Sequence, residues 1–478
     1  MHLKKIVLFI FFFLIIINSV FCSESDDISI MNKILRVLSF RDYNTRIVIF
    51  GTMLLGLACG IIGTFMLLRK RSLMADAISH ATLPGIGIAF ILMVVLTKGT
   101  GKSLIGLLTG ALISGLIGMG IVIMIQKLTR IKEEAALGIV LSVFFGFGIS
   151  ILGIIQKMKT GHAAGLESFI YGKTASMLLF DAWMILITAF IITVMALLFL
   201  KEFTILCFDE GFAHSQGLPV LFFDVLLISL VIIVTVIGLQ AVGLILIIAL
   251  LIIPSVSARF WTDKLVIMII ISAFFGGISS ACGAVMSAVF SKLPAGAVIV
   301  VTAGVFFFLS FIFGKAHGIF IKFIIHLHLV NKVNLQHLLR LFFEYFETSI
   351  KKFRIDTKLI QDCSISFDKL LELKSWNKRQ LRITLFRAKI KGLITNDGIN
   401  KFKLTKLGCD EALRVVKNHR LWELYLITYA EMAAGKVDRD ADRLEHVLGK
   451  DIVKNLEELL EKEYPHLIMP ESPHPLKN

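Results

Sequence analysis

The chain has 478 residues, 56% of them hydrophobic, with a mean hydropathy of +0.83 and a formal net charge of +15. That is more apolar surface than a soluble globular protein of this size carries, which excludes a single soluble domain. Six cysteines with no Cys-X-X-Cys pair, four of them in or beside apolar runs, exclude a disulfide scaffold or a zinc ribbon.

Charge divides the chain. Up to about residue 320 it is mostly apolar runs, whereas residues 330–478 hold 27 Lys and Arg and 21 Asp and Glu. The expected fold is an all-α polytopic membrane domain followed by a soluble C-terminal part. Residues 1–22 begin with a basic pair and continue as an apolar run, which fits a signal peptide or a first span. Nine further runs are long enough to cross roughly 30 Å of hydrocarbon. They lie near 47–68, 77–97, 104–126, 135–156, 180–200, 220–239, 242–260, 265–290 and 296–314. Lys and Arg divide evenly between the two sets of loops. The dense clusters at 69–71 and 127–132 favour a cytoplasmic face on their side, which also places the C-terminus in the cytoplasm.

Gly99-Thr100-Gly101-Lys102-Ser103 imitates the end of a phosphate-binding loop. The glycine that such a loop needs at position 96 is Leu96, and no soluble strand precedes it. An ATP-driven machine built on this chain therefore takes its ATPase from a separate chain.

Polar residues inside apolar runs are the functional candidates. In SLMADAISHATLPG, Asp76 and His80 stand four apart, so a helix sets carboxylate and imidazole on one face. One oxygen and one nitrogen ligand suit Mn²⁺, Fe²⁺ or Zn²⁺; the same pattern also suits a pair that only satisfies itself near the membrane surface. The stretch LLRKRSLMADAISHATLPGIGIAFIL resembles the signature of the ABC-3 family of metal permeases, membrane subunits of zinc, manganese and iron importers. FDEGFAHSQGLPVLFFD (208–224), VGLILIIALLIIPSVSARFW (242–261) and the Gly-rich 275–285 follow in that family's order, so the resemblance covers about 38–314. It implies that Asp76 and His80 line an ion path and that Pro254 breaks a helix near it, although a packing kink at Pro254 fits equally. It also implies that the loop with Asp209, Gly211 and Gly217 docks on a cytoplasmic ATPase. The implied partners are that ATPase, an extracytoplasmic metal-binding protein and a second permease subunit.

In the soluble half, 351–420 is net +11 and 421–478 is net −5. The first module reads as amphipathic helices at 334–348 and 368–373, then a basic helix within 376–394 with Leu381, Leu385 and Ile390 inward. An Asp-Gly turn between short strands follows. That order describes a winged helix-turn-helix, with Lys378, Arg379, Gln380 and Arg382 as DNA contacts; a basic surface beside anionic lipid is the competing reading. In the acidic module His419 and Glu423 are i and i+4, and Asp442, Glu445 and His446 are i, i+3 and i+4. Such sets hold Mn²⁺ or Fe²⁺, or are solvent salt bridges. The wording GLITNDGINKFKLTKLGCDEALRVVKNHRLWELYL, then ADRLEHVL, is similar to the diphtheria-toxin-repressor family over about 334–460. The similarity implies that these five residues are regulatory metal ligands, that the cofactor is Fe²⁺ or Mn²⁺, and that the domain binds operator DNA as a homodimer. Asp442 departs from the family's usual Cys or Glu, and Gln336, His337 and Leu339 stand where acidic or Met ligands are expected.

The organisation expected is a signal peptide or first span at 1–22, a permease at 38–320, a winged helix-turn-helix at 331–410, a small helical metal-binding and dimerisation domain at 411–465 and a tail at 466–478. The whole then sits in the cell's inner membrane as a non-enzymatic transport subunit with a repressor attached. A channel or secondary transporter with a regulatory tail, and a membrane-anchored sensor without transport, are the alternatives. Residues 315–332 read as an amphipathic or interfacial helix; proteolysis near it would release the repressor, and an intact junction would keep it tethered.

Overall fold

A computed structural model of the protein describes residues 35–349 and 363–429, apart from 38, 41, 70, 72, 98–102, 158–171, 173, 175–176, 291–292 and 375. The chain forms two compact units, Met1–Lys322 and Phe323–Asn478. The segment 1–22 and the residues Asp442, Glu445 and His446 lie outside the described residues.

In the first unit the apolar runs become helices: α1 (Tyr43–Leu68), α2 (Met74–Thr97), α3 (Leu104–Leu128), α4 (Glu133–Lys157), α5 (Leu179–Leu198), α6 (Leu200–Phe208), α7 (Glu210–Ser215), α8 (Val220–Val242), α9 (Leu244–Arg259), α10 (Leu265–Val289) and α11 (Ala295–Phe313). Among the described residues, eight of these are long and apolar enough to cross a membrane, namely α1 to α5, α8, α10 and α11. The run at 242–260 makes the short one. With 16 residues, α9 rises only about 24 Å, and it packs against α1, α10 and α11. It also continues unbroken through Pro254, which is buried. The expected break is therefore absent: the proline gives up one i−4 hydrogen bond and the helix tolerates it.

Lipid offers no hydrophobic drive between helices, so close backbone approach and hydrogen bonds from small polar residues hold the unit together. α1 and α10 touch through glycines. A Cβ on Gly56 would lie 2.2 Å from the Gly276 carbonyl oxygen, and one on Gly276 would lie 2.1 Å from that of Gly56. One turn along, the Ser272 hydroxyl donates to the Gly60 carbonyl at 2.7 Å. The Ser114 hydroxyl of α3 donates to the Ala81 carbonyl of α2 at 2.6 Å in the same way.

The second unit is built from most of α12 (Ile319–Ser349), β1 (Ser364–Ser366), α13 (Phe367–Leu373), α14 (Lys378–Ile390), β2 (Ile394–Asn396), β3 (Lys401–Leu404) and α15 (Lys406–Tyr429). From Ile319 onward, the segments read separately as 315–332 and 334–348 are one helix of 31 residues. Its later part buries Leu338, Leu339, Phe342, Phe343 and Phe346 in a core shared with Leu370, Leu381, Leu385, Ile394, Leu404 and Cys409. The strands form an antiparallel sheet in the order β1-β3-β2, with Ile365 opposite Phe402 and Ile394 opposite Leu404. Between β2 and β3 the chain turns at Gly398, whose φ of +98° is easy only for glycine, and at Asn400 with φ +62°.

The inward face of α14 consists of Leu381, Thr384, Leu385 and Ala388. Ile390 was expected there and is instead 69% exposed. The reason is helical phase: two residues past Ala388 is about 200° around the axis.

Candidate functional site

α2 begins at Met74, which puts Asp76 in its first turn and His80 one turn deeper. The His80 Nε2 lies 3.3 Å from the Asp76 Oδ1. The imidazole stands edge-on to Phe145 of α4, with ring centroids 4.7 Å apart. Its Nδ1 is buried with no hydrogen-bond partner among the described residues. The neighbouring hydroxyls are occupied: Ser79 donates to the Ala75 carbonyl and Thr82 to the Ser79 carbonyl, each at 2.7 Å. A carboxylate and an imidazole with one nitrogen unspent form a donor set that accepts a divalent cation.

The segment leading into α2 carries a cluster of charge that sequence reading missed. Arg69 follows the end of α1, and the Arg71 carbonyl accepts the Met74 amide that opens α2. Asp224, in the second turn of α8, takes both guanidinium groups on one oxygen, Arg69 at 2.9 Å and Arg71 at 2.6 Å. Arg71 also pairs with Glu133 at the start of α4 at 2.7 Å. Arg69 donates to the Leu206 carbonyl of α6 at 2.9 Å and approaches Glu210 of α7 at 3.6 Å. Burial opposes the Arg71 charge, but the Asp224 hydrogen bond and charge, with Glu133 and Glu210 beyond it, outweigh burial and push its pKa up.

The 209–217 segment forms the short helix α7 and a turn. Asp209 caps α7, accepting from the Phe212 amide at 2.8 Å. Gly217 has φ +74°, so its place in the turn calls for glycine, whereas a Cβ on Gly211 would meet only the Asp209 side chain, at 3.4 Å. Phe208 and Phe212, four residues apart, are both exposed.

In the second unit, His419 and Glu423 of α15 are buried and 3.3 Å apart. The Arg340 guanidinium from α12 reaches the His419 ring nitrogens at 2.9 and 3.1 Å and pairs with Glu344 at 2.6 Å. Next to it Arg420 pairs with Glu347 and lies over the Phe343 ring. The nitrogen and oxygen donors suit a divalent ion, and Arg340 uses the same imidazole, so guanidinium and metal are alternatives there. Among the described residues no group of three or more His, Cys, Asp or Glu converges. Lys378, Arg379, Gln380 and Arg382 are exposed on α14, with the Arg382 guanidinium over the Phe367 ring at 6.0 Å.

A profile of the ABC 3 transport family matches residues 41–314, more than half of the chain. The chain belongs to the ABC 3 transport family. A second profile, the iron dependent repressor metal binding and dimerisation domain, matches residues 405–466. The ABC 3 chain is 34% identical over 409 residues to the manganese transport system membrane protein MntC of Bacillus subtilis (strain 168), covering 84% of this chain and 88% of that one. It is 41% identical over 289 residues to the zinc transport system membrane protein TroC of Treponema pallidum (strain Nichols), covering 60% and 94%. Among solved structures, PsaBC from Streptococcus pneumoniae in complex with Fab is similar with a TM-score of 0.52 and 31% identity, covering 60% of this chain and 97% of that one. The Bacillus subtilis similarity is longer than the 322 residues of the first unit, so it runs into the second. This ABC 3 protein is thus a multi-pass membrane chain that carries a repressor-type metal-binding and dimerisation domain at its C-terminal end.

Proposed function

We propose that the chain is the permease subunit of an ATP-driven importer of a divalent metal, Mn²⁺, Zn²⁺ or Fe²⁺, and that its C-terminal part is a metal-dependent DNA-binding repressor. The observation that carries the transport reading is the Asp76–His80 pair on a membrane-spanning helix, with the His80 Nδ1 buried and unspent. A buried polar atom without a partner is costly in a membrane span, and a passing cation would repay it. The names of the manganese and zinc transport relatives support the same class of ion.

A separate ATPase docks on α6 and α7, where the exposed Phe208 and Phe212 offer the apolar contact, Asp209 holds the helix start and Gly217 the turn that follows it. The chain itself hydrolyses no ATP. Metal reaches it from an extracytoplasmic binding protein, and a second permease subunit completes the pore in the cell's inner membrane. The C-terminal part lies in the cytoplasm. There α13, α14 and the β2–β3 hairpin act as a winged helix-turn-helix, with Lys378, Arg379, Gln380 and Arg382 on the DNA. His419 and Glu423, together with Asp442, Glu445 and His446, hold the regulatory Fe²⁺ or Mn²⁺, which stabilises the homodimer on its operator.

The test is uptake of labelled Mn²⁺, Zn²⁺ and Fe²⁺ into cells that also make the ATPase. Asp76→Ala and His80→Ala should each abolish uptake while the chain still inserts in the membrane. Undiminished uptake in both variants contradicts the ion-path assignment, and no uptake by the unaltered chain favours an anchored sensor.

A further inference from the structure

The Arg69–Arg71–Asp224 cluster joins parts of the membrane unit that are far apart in sequence. Asp224 lies in the second turn of α8, Arg69 caps the end of α1, Arg71 precedes α2 and Glu133 opens α4, so one carboxylate and its partners tie four helices together near their ends. Its core is closed to water: the side chains of Arg69, Asp224 and Arg71 are 5%, 12% and 13% exposed. Removing one partner from a buried pair of this kind leaves an uncompensated charge, so separating these residues is costly.

The bookkeeping of charge inside the cluster has a direction. Two arginines face Asp224 and Glu133 at 2.6 to 2.9 Å, which already balances. Glu210 is the additional carboxylate: it is farther off at 3.6 Å, is 57% exposed and sits on α7. It can approach or withdraw without leaving a buried charge alone. Arg69 also grips α6 through the Leu206 carbonyl, so a push on α6 and α7 arrives at the buried core through two contacts. On the far side, the Arg71 carbonyl holds the first amide of α2, five residues before Asp76.

We propose that Asp224 is a positioning residue for transport: it locks Arg69 to Arg71 so that displacement of α6 and α7 is passed to the helix carrying Asp76 and His80. This rests on the import reading above. Asp224 bonds the two arginines and acts by holding them in register.

The experiment uses the full transporter, this chain with its ATPase, in proteoliposomes. It measures metal moved and ATP hydrolysed in the same sample. Asp224→Asn should assemble with the ATPase and hydrolyse ATP, yet move at least fivefold less metal per ATP than the unaltered chain. Asp224→Glu, which keeps the charge, should recover part of that ratio. An unchanged ratio in Asp224→Asn overturns the proposal, and so does a proportional fall in hydrolysis and transport, which marks a purely structural role. If Asp224→Asn fails to insert, Glu210→Gln at the exposed contact carries the test: a ratio lowered at least twofold supports the relay, and an unchanged one refutes it. Failure of the import reading shows separately, as uptake that survives loss of Asp76 and His80.

Discussion

At the scale of single residues, Arg340 occupies the imidazole that the proposed regulatory metal would need. Its guanidinium sits within 3.1 Å of both His419 ring nitrogens, so a divalent ion at His419 and Glu423 has to compete with a resident cation. Arg340→Gln should therefore raise Mn²⁺ affinity at this pair by roughly tenfold or more, about 1.4 kcal/mol. Titrating the full chain with Mn²⁺ in an Asp76→Asn, His80→Gln background isolates the site; equal affinity with and without Arg340 argues against competition. Cys409 gives a pH prediction in the same domain. Burial first, and Asp410 second, push its thiol from 9.0 up to about 11. A folded value above the unfolded one means that this thiol's contribution to stability is fully present below about pH 9 and is lost as pH rises towards 11. Iodoacetamide at pH 8.5 should spare Cys409 until the domain melts; rapid modification of the folded protein contradicts this. Asp76, His80, His419 and Glu423 were legible in the sequence because each pair lies four apart on one helix. Arg340 and Asp224 were not, because their partners lie 79 and 153 to 155 residues away. Asp224 did leave a trace, a carboxylate inside an apolar run.

At the scale of elements, hydropathy located eight spans, since a helix that must satisfy its backbone in lipid leaves a long apolar run. It does not fix helix length: the run at 242–260 folds as α9, whose 16 residues make it shorter than the other eight. It also says nothing about which helices meet. That information lies in glycines such as Gly56 and Gly276, whose pairing depends on backbones brought together by the whole bundle. Gly276→Leu would drive a side chain into the Gly56 carbonyl 2.1 Å away, so α1 and α10 must part. The expected cost is about 1–3 kcal/mol, seen as a lower melting temperature in detergent. Gly120→Leu is the control, because a Cβ there meets nothing within 4 Å. Equal melting of the two variants would show that the glycine contact does not hold the unit together.

At the scale of the whole molecule, the two halves were legible from charge alone, but the junction was not. Residues 315–332 were expected to form an amphipathic or interfacial helix, with proteolysis nearby releasing a soluble repressor and a permanent tether as the alternative. From Ile319 onward they are instead the start of a 31-residue helix whose later turns anchor the core of the second unit. The early turns expose Phe320, Phe323, Ile324 and Leu327 at i, i+3, i+4 and i+7, a stripe suited to the membrane interface. Proteases require an extended strand of several residues, so cutting here demands local unfolding of a helix held at its far end by the core. The chain should therefore stay whole and sense metal beside its own transporter. Immunoblots of native cells with an antibody to the C-terminal tail should show the full-length species alone, in metal-starved and metal-replete cultures alike. A fragment of 145–160 residues, abundant in either condition, would mean that the helix opens and the repressor is set free.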